Sequence, residues 1–342
     1  MLTKELYRPQ HFLAIIGIMF GGYIAIEEWF FHSSFKANDG LVWTLPLVSY
    51  IFLALMSTGA SILLAVGKIW SIPSLEINSK SLLCIAIGLL LGAFASLSTE
   101  MGSPLNIYWI ILNPNVRSPI WWMGTLYSIE LTLLFVKFIE ELLNRKFING
   151  KVLSSLTLVV AIAAALVLGA VFGTVIGRVG YAGLDASIFT LICALASGIA
   201  LSSIIIGRSF YKFISPALLV VTSVLFVFLL AKYIYQSRST VDYLIITVSI
   251  YTLAALLVSF ALSYKSPLIS SLLLIFSVMH SEYLFVVNGQ LHTLGPKETW
   301  LGTLQIYSPN ISEVAVLVFG ISVAWLTYSI TKSMLDNDMG NN

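Results

Sequence analysis

Long apolar runs separated by short polar connections dominate this chain. Ten can be marked: Phe12–Phe31, Leu41–Val66, Ser81–Leu97, Pro119–Phe138, Leu153–Ile176, Ser187–Ile206, Pro216–Tyr235, Tyr243–Ser263, Leu268–Val287 and Val314–Ile330. Each approaches the roughly 20 residues with which an α-helix crosses the hydrocarbon of a bilayer. The pattern predicts an all-α polytopic membrane protein of about ten transmembrane helices, arranged as two four-helix bundles and two flanking helices. One integral membrane domain spans residues 1–342: an extra first helix in 11–40, a first bundle in 41–150, and a fifth helix with its outer loop in 151–186. A second bundle follows in 187–290, then a last loop and helix in 291–331 and a tail in 332–342. Ala54-Leu-Met-Ser-Thr-Gly in the second run echoes Ala194-Leu-Ala-Ser-Gly in the sixth. The echo fits an internal repeat of four helices, or small residues recurring at helix contacts.

One connection breaks the pattern. Glu100 to Gly124 is aromatic and punctuated by prolines, with an acid at its start and Arg117 near its end. A connection so apolar is expected to lie at the membrane surface and fold over the helix ends, as wall or lid for an amphipathic ligand.

Composition closes off the soluble classes. Of 342 residues 58% are hydrophobic and only 10% charged, against about 25% charged in soluble domains. The net charge of +2 is scattered through short loops and implies no nucleic-acid partner; the bilayer is the partner it implies. Alternating sides carry 12 and 6 Lys and Arg, the heavier side being that of the N-terminus. The positive-inside rule then predicts both termini in the cytoplasm, with Glu100–Gly124, Arg178–Ala186 and Asn288–Asn310 facing outward. The first run ends in Glu27-Glu28-Trp29 rather than a small-residue cleavage site, so no cleaved signal peptide is expected. Cys84 and Cys193 sit singly in separate runs and read as small buried hydrophobes. No CxxC or CxxCH is present, so neither an iron–sulfur cluster nor a c-type haem is expected in this chain.

Ionisable groups inside the hydrocarbon are costly and are functional candidates by default. Glu130 lies about eleven residues into its run, near the bilayer centre at roughly 1.5 Å per residue. Tyr127 precedes it at i−3, Lys137 follows at i+7, and Glu140 and Glu141 close the run. The row reads either as a proton relay or as a neutral carboxyl hydrogen-bonded inside a bundle. His280 and Glu282 form a second cluster, but two residues apart they cannot share a helical face. Haem b wants two histidines inside the membrane, and only His280 lies well within a run, so no haem is expected. Glu27 and Glu28, beside Trp29, Phe30 and Phe31, read as interface acids in an aromatic belt.

Glu100-Met-Gly-Ser-Pro followed by Ser118-Pro-Ile-Trp-Trp-Met-Gly resembles the NrfD-type membrane subunits, in particular the polysulfide reductase anchor. Tyr181-Ala-Gly-Leu, Val286-Val-Asn-Gly-Gln290 and Tyr307-Ser-Pro-Asn-Ile-Ser-Glu313 resemble further family motifs in the same order, over roughly residues 41–330. The resemblance implies an anchor exchanging electrons between quinone and a four-cluster iron–sulfur subunit, which serves a molybdopterin catalytic subunit on the extracytoplasmic side. The quinone, menaquinol for example, would be held at the outer face by Tyr181, with Glu100 as nearby acid and Trp121 and Trp122 as walls. The family's asparagine and histidine ligands fall on Leu45 and Val48, where Ser49 or Tyr50 are the substitutes at hand. Its late-helix arginine is replaced by Glu282, beside His280. The expected function is quinol oxidation for a polysulfide, thiosulfate or tetrathionate reductase, with a proton pathway through Glu130, Lys137, Glu282 and His280. The reverse direction, a proton-translocating respiratory subunit and a secondary transporter are the alternatives. Ten spans, Glu130 and the repeat suit the last of these, but a transporter has no need of the aromatic loop.

Overall fold

A computed structural model describes residues 9–38, 40–101, 104–175, 178, 181, 183–237, 243–291 and 307–337. Ten long helices run through them: α1 (Pro9–Phe31), α2 (Leu45–Ile69), α3 (Ser79–Glu100), α4 (Pro119–Leu142), α5 (Gly150–Gly173), α6 (Asp185–Ile206), α7 (Arg208–Ser237), α8 (Tyr243–Leu262), α9 (Pro267–Leu291) and α10 (Ile311–Asn337). There is no strand among the described residues, and nine of the helices there are long and apolar enough to cross a membrane. The tenth, α8, coincides with the eighth apolar run. The all-α polytopic reading therefore holds.

Helix starts follow local chemistry. Ser118 precedes Pro119 at the opening of α4, and Thr44 precedes α2, whose second residue is Pro46. Proline there fixes a helical φ and gives up an N–H that has no intrahelical partner. At α5 the Asn149 side chain accepts the Lys151 amide at 3.0 Å, an N-cap bond of the usual kind.

α2 is the axis of the molecule. All but two of its residues from Leu45 to Gly67 are buried, and it packs on α3, α5, α6, α9 and α10. By contrast α1 lies on the outside against α10 and α3, presenting Phe12, Met19 and Tyr23 outward. Lipid tails are as apolar as leucine, so close packing and hydrogen bonds, rather than burial from water, drive helices together here. Ser57 Oγ donates to the Ala86 carbonyl at 2.7 Å, tying α2 to α3, and Thr190 Oγ1 donates to Ala165 at 2.7 Å, tying α6 to α5.

The two echoed segments meet where α2 crosses α6. A Cβ on Gly59 would run into the backbone of Ala194 and Gly198, and one on Gly198 into Gly59 and Ala60. Only backbone opposes backbone there, so no side chain can give way. Gly59→Ala is expected to destabilise the fold by about 2 kcal/mol, as overpacking does, and thermal unfolding in detergent should register it. An unchanged melting temperature would mean that the helices separate freely at this crossing.

The Glu100–Gly124 connection is partly ordered into a 3₁₀ turn at Pro104–Tyr108 and a single helical turn at Trp109–Leu112. Ile107, Tyr108, Trp109 and Leu112 are exposed on it.

Candidate ligand site at the loop-bearing helix ends

Five helix ends converge near the two ends of that connection and leave a cavity of about 400 Å³, whose lining includes none of the described loop residues from Pro104 to Ser118. Trp43, Leu47 and Tyr50 come from the start of α2, Leu97 and Glu100 from the end of α3, Ile120 and Met123 from α4, and Leu168 and Phe172 from α5. Glu28 and His32, at the end of α1, complete the wall with Phe35 and Ala37 beyond them. The lining is mainly apolar, with a few polar heads.

Glu100 is the best-held of these heads. Its Oε1 accepts the Leu47 amide at 3.1 Å and the Thr44 hydroxyl at 3.4 Å, so the carboxylate sits on the N-terminus of α2. Unpaired amides and the helix dipole both favour negative charge at that point. Its Oε2 takes no partner among the described residues. The Tyr50 hydroxyl is buried and also lacks a protein partner.

The entry to α2 is pinned from the far helices. Gln290 Oε1 accepts the amides of Val42 and Trp43, each at 2.9 Å, and its Nε2 donates to the Trp43 carbonyl at 2.9 Å. Tyr307 presents its hydroxyl oxygen to the Leu45 amide at 3.0 Å and donates to Glu313 at 3.1 Å. In the sequence Gln290, Tyr307 and Glu313 stand out only as family-like motifs; packing gives them the task of fixing Val42 and Trp43 in the cavity wall.

Tyr181 is fully buried and stands behind the cavity rather than in it. Its ring lies 6.0 Å from Trp43 and 5.3 Å from Phe172, both of which do line the space. The hydroxyl donates to the Val286 carbonyl, and Gly289 leaves room for the ring where any Cβ would strike it. Burial pushes the Tyr181 hydroxyl well above its ordinary pKa, so it stays a proton-bearing donor.

Trp121 and Trp122 likewise hold the loop instead of lining the cavity. Trp121 Nε1 donates to the Ile110 carbonyl and Trp122 Nε1 to that of Val116, both at 2.9 Å, and the two rings meet edge to face. Their neighbours Ile120 and Met123 supply the wall from the other side of α4. Ser49, beside Tyr50, turns its hydroxyl back to the Leu45 carbonyl at 2.9 Å and is absent from the lining.

Below the cavity runs a row of buried polar groups. The Tyr50 and Tyr127 rings are 6.3 Å apart, and Tyr127 stands one turn from Glu130 on α4. Glu130 is fully buried; its Oε2 accepts the Thr58 hydroxyl at 3.2 Å, while Oε1 and the Tyr127 and Ser61 hydroxyls make no hydrogen bond of ordinary geometry among the described residues. Toward the opposite face a second pocket of about 360 Å³ opens between α2, α4 and α5. Lys137, Lys68, Glu140, Glu141 and Ser154 line it. Glu282 on α9 is fully buried with both oxygens unpartnered, within electrostatic reach of Tyr127 and Cys193. His280 faces away from it, 2.6 Å from the Thr252 hydroxyl and stacked on Phe276. His292 lies outside the described residues.

The family model for NrfD, the polysulphide reductase family, matches residues 33–231. The chain belongs to the NrfD family. It is thus a multi-pass membrane subunit of the polysulphide-reductase type. A comparison with curated proteins finds no match. In this NrfD protein the matched residues carry most of the cavity wall, the tryptophan pair and the row through Glu130. Helix α1 with Glu28 and His32, and the groups Glu282, Gln290 and Tyr307, fall outside the match.

Proposed function

We propose that this NrfD protein is the quinol-oxidising membrane subunit of an extracytoplasmic reductase complex, with the loop-face cavity as its quinol site. The observation that carries the reading is the cavity itself. Its volume lies in the ordinary range for small-molecule sites, mostly apolar with a few placed polar groups. The residues present suit a quinone: Leu47, Ile120, Met123 and Leu168 offer an apolar slot, and Trp43 and Phe172 offer flat faces. When bound, a quinol supplies two electrons and two protons.

In this reading Glu100 accepts a proton at its free Oε2, while the α2 amides hold Oε1 and so fix the carboxylate's position. The Tyr50 hydroxyl hydrogen-bonds the ligand's other oxygen. Tyr181 acts through its neighbours, keeping Trp43 and Phe172 at the right angle. Electrons leave to a four-cluster iron–sulfur subunit seated on the loop face, which feeds a molybdopterin subunit acting on polysulfide, thiosulfate or tetrathionate. The bias of Lys and Arg supports a cell-membrane orientation with both termini in the cytoplasm and the cavity on the outside.

A second reading, a proton-translocating respiratory subunit, draws on one specific feature. The row Tyr50, Tyr127, Glu130 and Ser61 points from the cavity toward the pocket at Lys137 on the opposite face.

The first test uses the quinol-site inhibitor 2-heptyl-4-hydroxyquinoline N-oxide on the native complex. Micromolar or tighter binding, competitive with quinol, supports the site; no binding together with the absence of co-purifying iron–sulfur and molybdenum subunits would overturn it. Tyr181→Phe is expected to weaken inhibitor binding about fivefold, the loss of one hydrogen bond worth about 1 kcal/mol, chiefly as a raised KM. A collapse of kcat instead would return Tyr181 to direct contact with the ligand.

A further inference from the structure

The cavity wall also takes in the end of α1, which precedes the family match, and the segment that follows it. α1 ends at Phe31, and in the strap Ser34–Ala37 that leads on toward α2 both Phe35 and Ala37 line the space. This strap is anchored along its length. Trp29 Nε1 donates to the Ser98 carbonyl at 2.7 Å, and the Ser34 amide donates to Glu28 Oε2 at 2.8 Å. The Lys36 amide donates to Glu313 at 2.9 Å, Lys36 Nζ to the Ser308 carbonyl at 2.9 Å, and Asn310 Nδ2 to the Ser34 carbonyl at 2.7 Å.

The anchored strap carries chemistry as well as shape. Glu28 and Glu100 line the same cavity. One turn further on, His32 lines the same space and is exposed to the exterior. An acid inside, an acid beside it and an imidazole at the surface make an ordered set of proton-accepting groups, each able to take one proton and return to its starting state.

We propose that α1 and its strap form a fixed cover over the ligand headgroup, and that Glu28 and His32 carry protons from Glu100 to the outer surface. This inference rests on the quinol reading of the cavity. For each ligand oxidised, both electrons go to the partner's iron–sulfur cluster. Two protons pass in turn from Glu100 to Glu28, to His32 and to bulk water, and each group ends as it began.

Two measurements on the native complex test it. Ala37→Cys and Met123→Cys place thiols on the strap and on the facing α4 wall, while Cys84 and Cys193 are buried. Labelling of both by a membrane-impermeant maleimide should be slowed by the hydroxyquinoline N-oxide. Protection at residue 123 without protection at residue 37 overturns the cover and leaves the quinol reading standing; protection at neither overturns both. In proteoliposomes, Glu28→Gln keeps an acceptor for the Ser34 amide. It should slow proton appearance outside, seen with a pH indicator, by about tenfold, with imidazole restoring the rate. Wild-type proton release in Glu28→Gln, or a slowing that imidazole does not relieve, overturns the route.

Discussion

Replacing Glu100 by glutamine is expected to cut quinol-linked turnover by about two orders of magnitude, the lower end of what a positioned general base supplies. Dye-linked reduction by the whole complex should stay at the wild-type rate. The contrast follows from how the side chain is held. A glutamine oxygen can still accept the Leu47 amide and the Thr44 hydroxyl, so the N-terminus of α2 keeps its partner and the cavity its shape. Only the capacity to take a proton at the free atom is lost. Equal loss in both assays would indicate a damaged docking surface. Full activity in both would remove Glu100 from the chemistry.

Much of the fold could be read directly from the chain, since the bilayer leaves few alternatives to a helix for an apolar run of this length. The ends were less legible. The seventh run was marked from Pro216, yet α7 starts at Arg208 and carries Pro216 within it. Arg208, Tyr211 and Lys212 lower the hydropathy there without breaking the helix, and hydropathy was the signal being read. α9 and α10 likewise extend beyond the apolar runs that announced them, to Leu291 and Asn337.

At the site, legibility followed charge. Glu100 and Glu130 stand out in a sequence where acids are few, and both hold central positions. Tyr50 was visible only as a substitute for a missing family ligand. Trp121 and Trp122 drew attention through their motif, whereas their neighbours Ile120 and Met123 carry the wall. A helix rotates by about 100° per residue, so adjacent positions cannot serve the same face, and the motif alone does not say which face meets the cavity. Glu28 read as an ordinary interface acid because nothing in the sequence brings the end of α1 beside the end of α3. The Trp29–Ser98 hydrogen bond does that.

Under the proton-translocating reading, Glu130→Gln has the second large expected effect: quinol-linked turnover slowed by about tenfold or more, with fewer protons moved per electron pair. Glu130 is fully buried at mid-membrane, where an ionisable group is costly to place, and proton transfer is a reason for a carboxyl there. Glutamine preserves the volume and can still accept from Thr58, so a purely structural Glu130 would tolerate the exchange. Tyr127→Phe separates the two cases further. The Tyr127 hydroxyl makes no hydrogen bond of ordinary geometry among the described residues, so a structural row predicts little effect on rate or stability. A relay running from Tyr50 to Glu130 predicts slowing comparable to that of Glu130→Gln. Wild-type turnover and proton stoichiometry in both variants would leave the row as buried packing and confine proton traffic to the loop face.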